Sequence, residues 1–363
     1  MRASRPVCAL ACLLFLAAAV SGCGGSGGGT STGGEGGGSA GSAESRPAPP
    51  KSAFPAAQGK TLREILDNPE YKPTELIVEP EAMVFYPGSN RYPFGVVKKE
   101  GSPVSNAEIA LYFARVPTPK RGSKSKSGNR GQRAKAEKQA LDEPAVGPFP
   151  AKIESLGTQP AFRSKTTADD PNAATVVYSS QIDFPSDGDW RIGALIKTGD
   201  EISATPLPSV TVGEFTRIPR AGQQAPKIHT PTAKEVGGDL SKITTRIPPD
   251  TQNTVDFAEA LGKEPILLLF ATPQFCQSRV CGPVVDVAEE AKERYGDKAA
   301  FIHMEIFNDN RPQDHVRPQV RAFHLPSEPW LFAVNRHGVV SSAIEGAFGK
   351  ELMDQTVEKV ISE

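Results

Sequence analysis

The stretch Ile266-Leu267-Leu268-Leu269-Phe270-Ala271-Thr272-Pro273-Gln274-Phe275-Cys276 decides how the C-terminal third of the chain is read. From Ile266 to Ala271 the run is unbroken apolar, with no polar face to show to water. That is the pattern of a strand covered on both sides, as in sheets clad by helices. Downstream, 286–294 has helical apolar spacing, with acidic residues early and Lys292 and Arg294 late, a polarity that suits the helix dipole. Ala300-Phe301-Ile302-His303-Met304-Glu305-Ile306 reads as a further strand, so the segment is a β-α-β unit. Trp330-Leu331-Phe332-Ala333-Val334 and Val339-Val340-Ser341-Ser342-Ala343-Ile344 read as two more strands joined at Asn335-Arg336-His337-Gly338, and Lys350 to Ser362 as a closing helix.

That order, together with several local motifs, resembles the thioredoxin family over about 225–363, with 250–363 as the domain proper. Phe270-Ala271-Thr272-Pro273-Gln274-Phe275-Cys276 looks like the family's strand end and aromatic approach to its first active-site cysteine, and Pro283-Val284-Val285-Asp286 like the proline-kinked first helix. Pro329, after Glu328, stands where the family has its cis-proline. Gly346-Ala347 matches the small residues before the last helix. Gly222-Gln223-Gln224-Ala225-Pro226-Lys227-Ile228 resembles the entry segment of the peroxiredoxin- and TlpA-like branch. The resemblance implies an α/β thioredoxin-like fold, Cys276 as nucleophile, Cys281 as resolving cysteine, and a substrate groove at Glu328 and Pro329. The chemistry would need a thiolate stabilised at a helix N-terminus, followed by mixed-disulfide exchange.

The sequence also departs from the family. Four residues, Gln277-Ser278-Arg279-Val280, separate the cysteines where the family has two. In a regular α-helix, positions i and i+5 lie roughly 8.7 Å apart between Cα atoms, beyond the reach of about 7 Å for a disulfide. Either the first turn is not regular helix, for which Gly282-Pro283 gives reason, or the thiols do not pair. Arg279 is placed to support a thiolate. Leu269 stands where many thioredoxins bury an acid, and Glu328 would set negative charge near the sulfurs.

Thiol–disulfide exchange with exported proteins, needing no cofactor, is the leading expectation. A second is copper binding, as in the related SCO-like metallochaperones, because soft thiolates select Cu(I). That would use Cys276, Cys281 and a histidine from His303, His315, His324 and His337, with His324 nearest Pro329 in sequence. A third is a binding module whose cysteine pair is a plain structural disulfide. Neither cysteine follows the proline-threonine pattern of a peroxidase nucleophile.

The N-terminus reads as an address. Arg2 and Arg5 precede an apolar run from Val7 to Val20, and Val20-Ser21-Gly22-Cys23 resembles the lipobox of bacterial lipoproteins. The resemblance implies a signal peptide at 1–22, a lipid on Cys23, and an exported protein anchored to the bacterial membrane, facing out of the cytoplasm. Of the 5 cysteines, Cys8 and Cys12 then leave with the signal peptide. Only Cys276 and Cys281 remain, in a compartment where disulfides persist.

Between these ends lie a Gly/Ser/Pro-rich tether at 23–58, read as disordered, and a β-rich region at 70–216. Its short alternating runs, including 75–78, 82–85, 94–97, 107–113, 175–178, 190–196 and 209–212, predict an all-β immunoglobulin-like sandwich. Asp187-Gly188-Asp189-Trp190 resembles the late hairpin of bacterial extracellular sandwich domains. An insertion at 117–145 carries Lys120, Arg121, Lys124, Lys126, Arg130, Arg133, Lys135 and Lys138, and reads as a solvated, disordered loop; docking to anionic head groups or wall polymers is the sharper alternative. Residues 217–249, rich in Pro, Thr and Gly, read as a linker. With 363 residues and a net charge of −1, the chain is multidomain and shows no electrostatic call for nucleic acid.

Overall fold

A computed structural model describes residues 43–118 and 129–363. Residues 1–22, read above as a signal peptide, Cys23, the expected tether up to residue 42 and the basic residues Lys120, Arg121, Lys124 and Lys126 lie outside the described residues. Residues from Ser42 to Glu363 form one compact unit.

Seven strands make the first sheet: β1 (Leu76–Pro80), β2 (Gly88–Lys98), β3 (Glu108–Arg115), β4 (Val146–Ser155), β5 (Val176–Phe184), β6 (Gly188–Thr198) and β7 (Glu201–Val212). Their order is β1-β2-β5-β4-β3-β6-β7, and every pairing is antiparallel. β4 is shared. Val146 to Pro150 pair with β3, and Ala151 to Ser155 pair with β5, so the sheet turns a corner there. The edge strands β1 and β7 come alongside each other and nearly close the sheet. Inside, Phe85 stacks on Tyr92 and Phe94 on Tyr178, while Trp190 meets Phe113 edge-on. Gly188 opens the β6 hairpin at φ 110°, and a Cβ there would fall 2.3 Å from Arg115 Nη2; only glycine fits.

The second sheet holds β8 (Ile266–Phe270), β9 (Ala300–Met304), β10 (Trp330–Val334) and β11 (Val340–Glu345) in the order β11-β10-β8-β9. β8 and β9 run parallel and the other neighbours antiparallel. All residues of β8, β9 and β10 are buried, which explains the unbroken apolar sequences of β8 and β10; in β9 the run is broken by the buried His303. Leu267 and Leu269 point into one layer with Val284, Val285, Ala288, Met353 and Val357. Ile266, Leu268 and Phe270 point into the other with Phe257, Phe323 and Phe332.

The helices, in chain order, are α1 (Leu62–Leu66), α2 (Asn129–Gln139), α3 (Lys165–Ala168), α4 (Phe257–Ala260), α5 (Cys281–Tyr295), α6 (Pro318–Ala322) and α7 (Lys350–Ser362). α1 begins with a capping box between Thr61 and Glu64. α5 crosses between β8 and β9 and packs against α7. Among the described residues no helix is long and apolar enough to cross a membrane.

Several expectations need correction. The part of the tether from 43 to 58 is tied down: Arg46 exchanges backbone hydrogen bonds with Ile153, and Phe54 and Ala57 are buried against Leu62 and Tyr112. Burying those two apolar side chains compensates the ordering of the segment. The insertion contains α2, whose Ala136 packs on Val116 and Ala140. Residues 217–249 are not a free linker. Ile218 and Ile228 enter the second sheet's core, and the 222–225 segment hydrogen-bonds with Gly338 and Val340 beside edge strand β11. The run 82–85 forms no strand, and Phe85 alone bridges to Val212.

The two sheets are joined by buried polar contacts. Glu81 Oε2 accepts from Ala347 N at 3.0 Å, and Glu345 accepts from Val84 N at 2.9 Å. Arg91 Nη2 donates to Ala347 O at 2.6 Å and to Glu154 at 3.1 Å. Gly346, at φ 77°, leaves no room for a Cβ beside Glu81 O, 2.9 Å away.

Candidate functional site

Leaving β8, the chain passes buried Ala271 and Thr272 and turns through Pro273 to Val280 before α5 begins at Cys281. The helix therefore starts five residues after Cys276. Pro283 falls in its first turn, where a missing N–H costs nothing. Arg279 takes a positive φ of 56°, which folds the loop back. That reversal brings the Cys276 and Cys281 Cα atoms to 5.9 Å, and the two are joined as a disulfide. Of the alternatives the spacing left open, the non-helical turn is the one found.

The two sulfurs differ in surroundings. Cys281 is fully buried among Val280, Val284 and Val285. Cys276 is partly buried, its Sγ 3.3 Å from Ser278 Oγ. The expectation of Cys276 at a helix N-terminus is corrected: Cys281 holds the first helical position, and Cys276 lies in the loop ahead of it. Arg279 is also not at the sulfurs' service. Its Nη1 contacts both oxygens of Asp170, at 2.8 and 2.7 Å, and Arg279 O accepts from Ala174 N at 3.3 Å. The cysteine loop is thereby fastened to the 165–174 segment that leads into β5.

Opposite the disulfide stands the loop before β10. The Glu328–Pro329 peptide is cis, and Pro329 O accepts from Gly346 N at 2.9 Å. A carboxylate oxygen of Glu328 and both sulfurs lie within 4.8 Å of one another. Burial, and after it the charge of Glu305, push the Glu328 carboxyl up to about 8. The sequence places Glu328 near the sulfurs as a negative charge; its burial works against that charge and favours the neutral acid. Leu269 faces the apolar layer beneath Cys281 and supplies no acid.

Beside this cluster runs a cavity of about 510 Å³, lined by Met83 and by Tyr92 and Pro208 of the first sheet, and by the loop residues Phe275, Cys276 and Glu328 flanking the second. Met83 and Phe275 are both exposed. Cys276 also touches a smaller cavity of about 180 Å³ that Asp170 and Arg279 line on the loop's other side.

The copper donor set does not assemble. His324 is exposed and lines a separate cavity with Glu214, Arg217 and Arg321. His303 is fully buried, with Nδ1 2.8 Å from Asp250 and Nε2 3.1 Å from Ala271 O. Burial opposes charge on His303, but Asp250 outweighs it and holds the imidazole above its usual range. Among the described residues the one cluster of potential ligand side chains is Cys276, Cys281 and Glu328, without a histidine.

Sequence reasoning missed the polar frame behind α5. Asp286 is buried and accepts from Arg246 Nε at 2.8 Å, Ser164 N at 3.0 Å and Ser164 Oγ at 3.1 Å. Only its place one turn past the cysteines could have signalled this. Neither protein-family models nor curated proteins match the chain.

Proposed function

We propose that the protein is an extracytoplasmic thiol–disulfide oxidoreductase, acting on exported proteins through Cys276 and Cys281. The observation that carries this reading is the asymmetry of the pair: one sulfur reaches an open groove and the other is sealed at the start of α5. A visiting thiolate can approach Cys276 only, and Cys281 is then the leaving and resolving sulfur. The β-α-β, hairpin and helix order of the second sheet, with Glu328 and Pro329 across from the disulfide, supports a thioredoxin-like domain. β1-β2-β5 on one side, β3-β6-β7 on the other and β4 crossing between them support an immunoglobulin-like reading of the first sheet. The sequence around Cys23 supports export and a lipid anchor, which would hold the domain at a membrane surface.

An inert staple would need neither an accessible sulfur nor a groove beside it. The test is trapping. Cys281→Ser should accumulate mixed disulfides through Cys276 with exported proteins, and Cys276→Ser should accumulate none. Trapping by Cys276→Ser alone would reverse the roles, and no trapping by either variant would leave a structural disulfide.

A further inference from the structure

When the disulfide opens, the Cys281 sulfur is released into apolar surroundings: Val280, Val284 and Val285 pack about it, and the strand beneath offers Leu269. The start of α5 favours a thiolate there, but burial among apolar side chains disfavours the charged form. Glu328 reaches the same point from the opposite loop, an oxygen within 4.8 Å of Cys281 Sγ. Its Oε2 is shut off from solvent and has no hydrogen-bond partner among the described residues. A carboxyl without donors is itself poorly suited to carry charge. An acid and a sulfur that each need a proton, one at a time, face each other.

We infer that Glu328 is a catalytic residue of the exchange, passing a proton to Cys281 as the disulfide opens and taking it back as the disulfide closes. This rests on the thiol–disulfide reading above. In the opening step a substrate thiolate attacks Cys276 Sγ. The substrate–Cys276 bond forms, the Cys276–Cys281 bond breaks, and Cys281 leaves with the electron pair and takes the Glu328 proton. A second substrate thiol then gives its proton to the Glu328 carboxylate, attacks the substrate sulfur and releases Cys276 as thiolate. The substrate dithiol is oxidised and the protein disulfide reduced; a disulfide substrate runs the same steps backwards. The ionisable groups about Glu328 are the two cysteines within 4.8 Å, Glu305, whose charge raises it, and Glu81, which lines the same cavity. No lysine or arginine is among the described residues lining that cavity. With its carboxyl raised to about 8, Glu328 is protonated at neutral pH and ready to donate.

The test is reduction of the oxidised full-length chain by excess dithiothreitol from about pH 6 to about 10, at intervals fine enough to place an inflection. The Cys276–Cys281 peptide is followed by alkylation and mass spectrometry. The rate constant per dithiothreitol thiolate should fall above an inflection near 8 in the natural protein. Glu328→Gln should lose the inflection and react about 10- to 100-fold more slowly at neutral pH. Glu328→Asp, should the glutamine variant not fold, should be slower than the natural protein yet keep an inflection. Equal rates and profiles for natural and variant chains overturn the role of Glu328 and leave the redox reading standing. A disulfide that dithiothreitol does not reduce in any variant overturns both.

Discussion

Arg279 shows how a side chain's partner decides its chemistry. Between two cysteines, a guanidinium reads as thiolate support, but here both oxygens of Asp170 hold it. A neutralised ion pair exerts little field on a sulfur. Arg279→Ala should therefore leave the apparent pKa of Cys276 alkylation in the reduced protein within about half a unit. A rise of a full unit would return Arg279 to the thiolate. What Arg279 does contribute is backbone geometry: its positive φ of 56° closes the loop, a conformation few non-glycine residues adopt. That conformation could not be read from the sequence, because no residue type in Gln277-Ser278-Arg279-Val280 demands it. The pairing of Cys276 with Cys281 stayed open for the same reason.

At the scale of elements, α5 carries the argument. Its amphipathic spacing is plain in the sequence, and so are β8, β10 and α7, because both faces of the second sheet are covered and hydrophobic burial writes itself into continuous apolar runs. β4 was not legible: Gly147, Pro148 and Pro150 are residues that strand interiors avoid, yet Val146 to Pro150 pair with β3, each half of the strand serving a different neighbour. Asp286 was legible only as an early helix acid suited to the dipole. Its burial beside Arg246, itself 5% exposed, is a tertiary fact. Removing one partner of such a pair strands the other's charge. Asp286→Ala should lose about 3–5 kcal/mol of stability in urea denaturation. Replacing both residues with apolar ones of similar size should recover much of that loss. A single-variant loss below about 1 kcal/mol would mean that Arg246 finds other partners or water.

For the whole molecule, the expected division into two domains joined by a linker at 217–249 gives way to one compact unit sealed by carboxylates. Composition concealed this, since Pro, Thr and Gly mark linkers and packed irregular segments alike. The seal has a pH dependence. Burial lifts Glu81 to about 7, with the Ala347 N–H and then Arg91 opposing and Glu154 assisting. A folded pKa above the unfolded one means that protonation favours the folded state. The stability this contributes is full below the ordinary glutamate range and is lost as pH rises through about 7. Glu81→Gln keeps an oxygen for Ala347 N and cannot ionise. Its melting temperature should match the natural protein's near pH 5 and exceed it near pH 8, by the equivalent of about 1–3 kcal/mol. Equal destabilisation at both pH values would instead show that the carboxylate is ionised and held by Arg91. The same seal sets one wall of the groove, because Glu81 and Met83, between β1 and β2, and Tyr92 on β2 line it. Loosening the seal at alkaline pH should therefore weaken mixed-disulfide trapping by Cys281→Ser, and Glu81→Gln in that background should restore it.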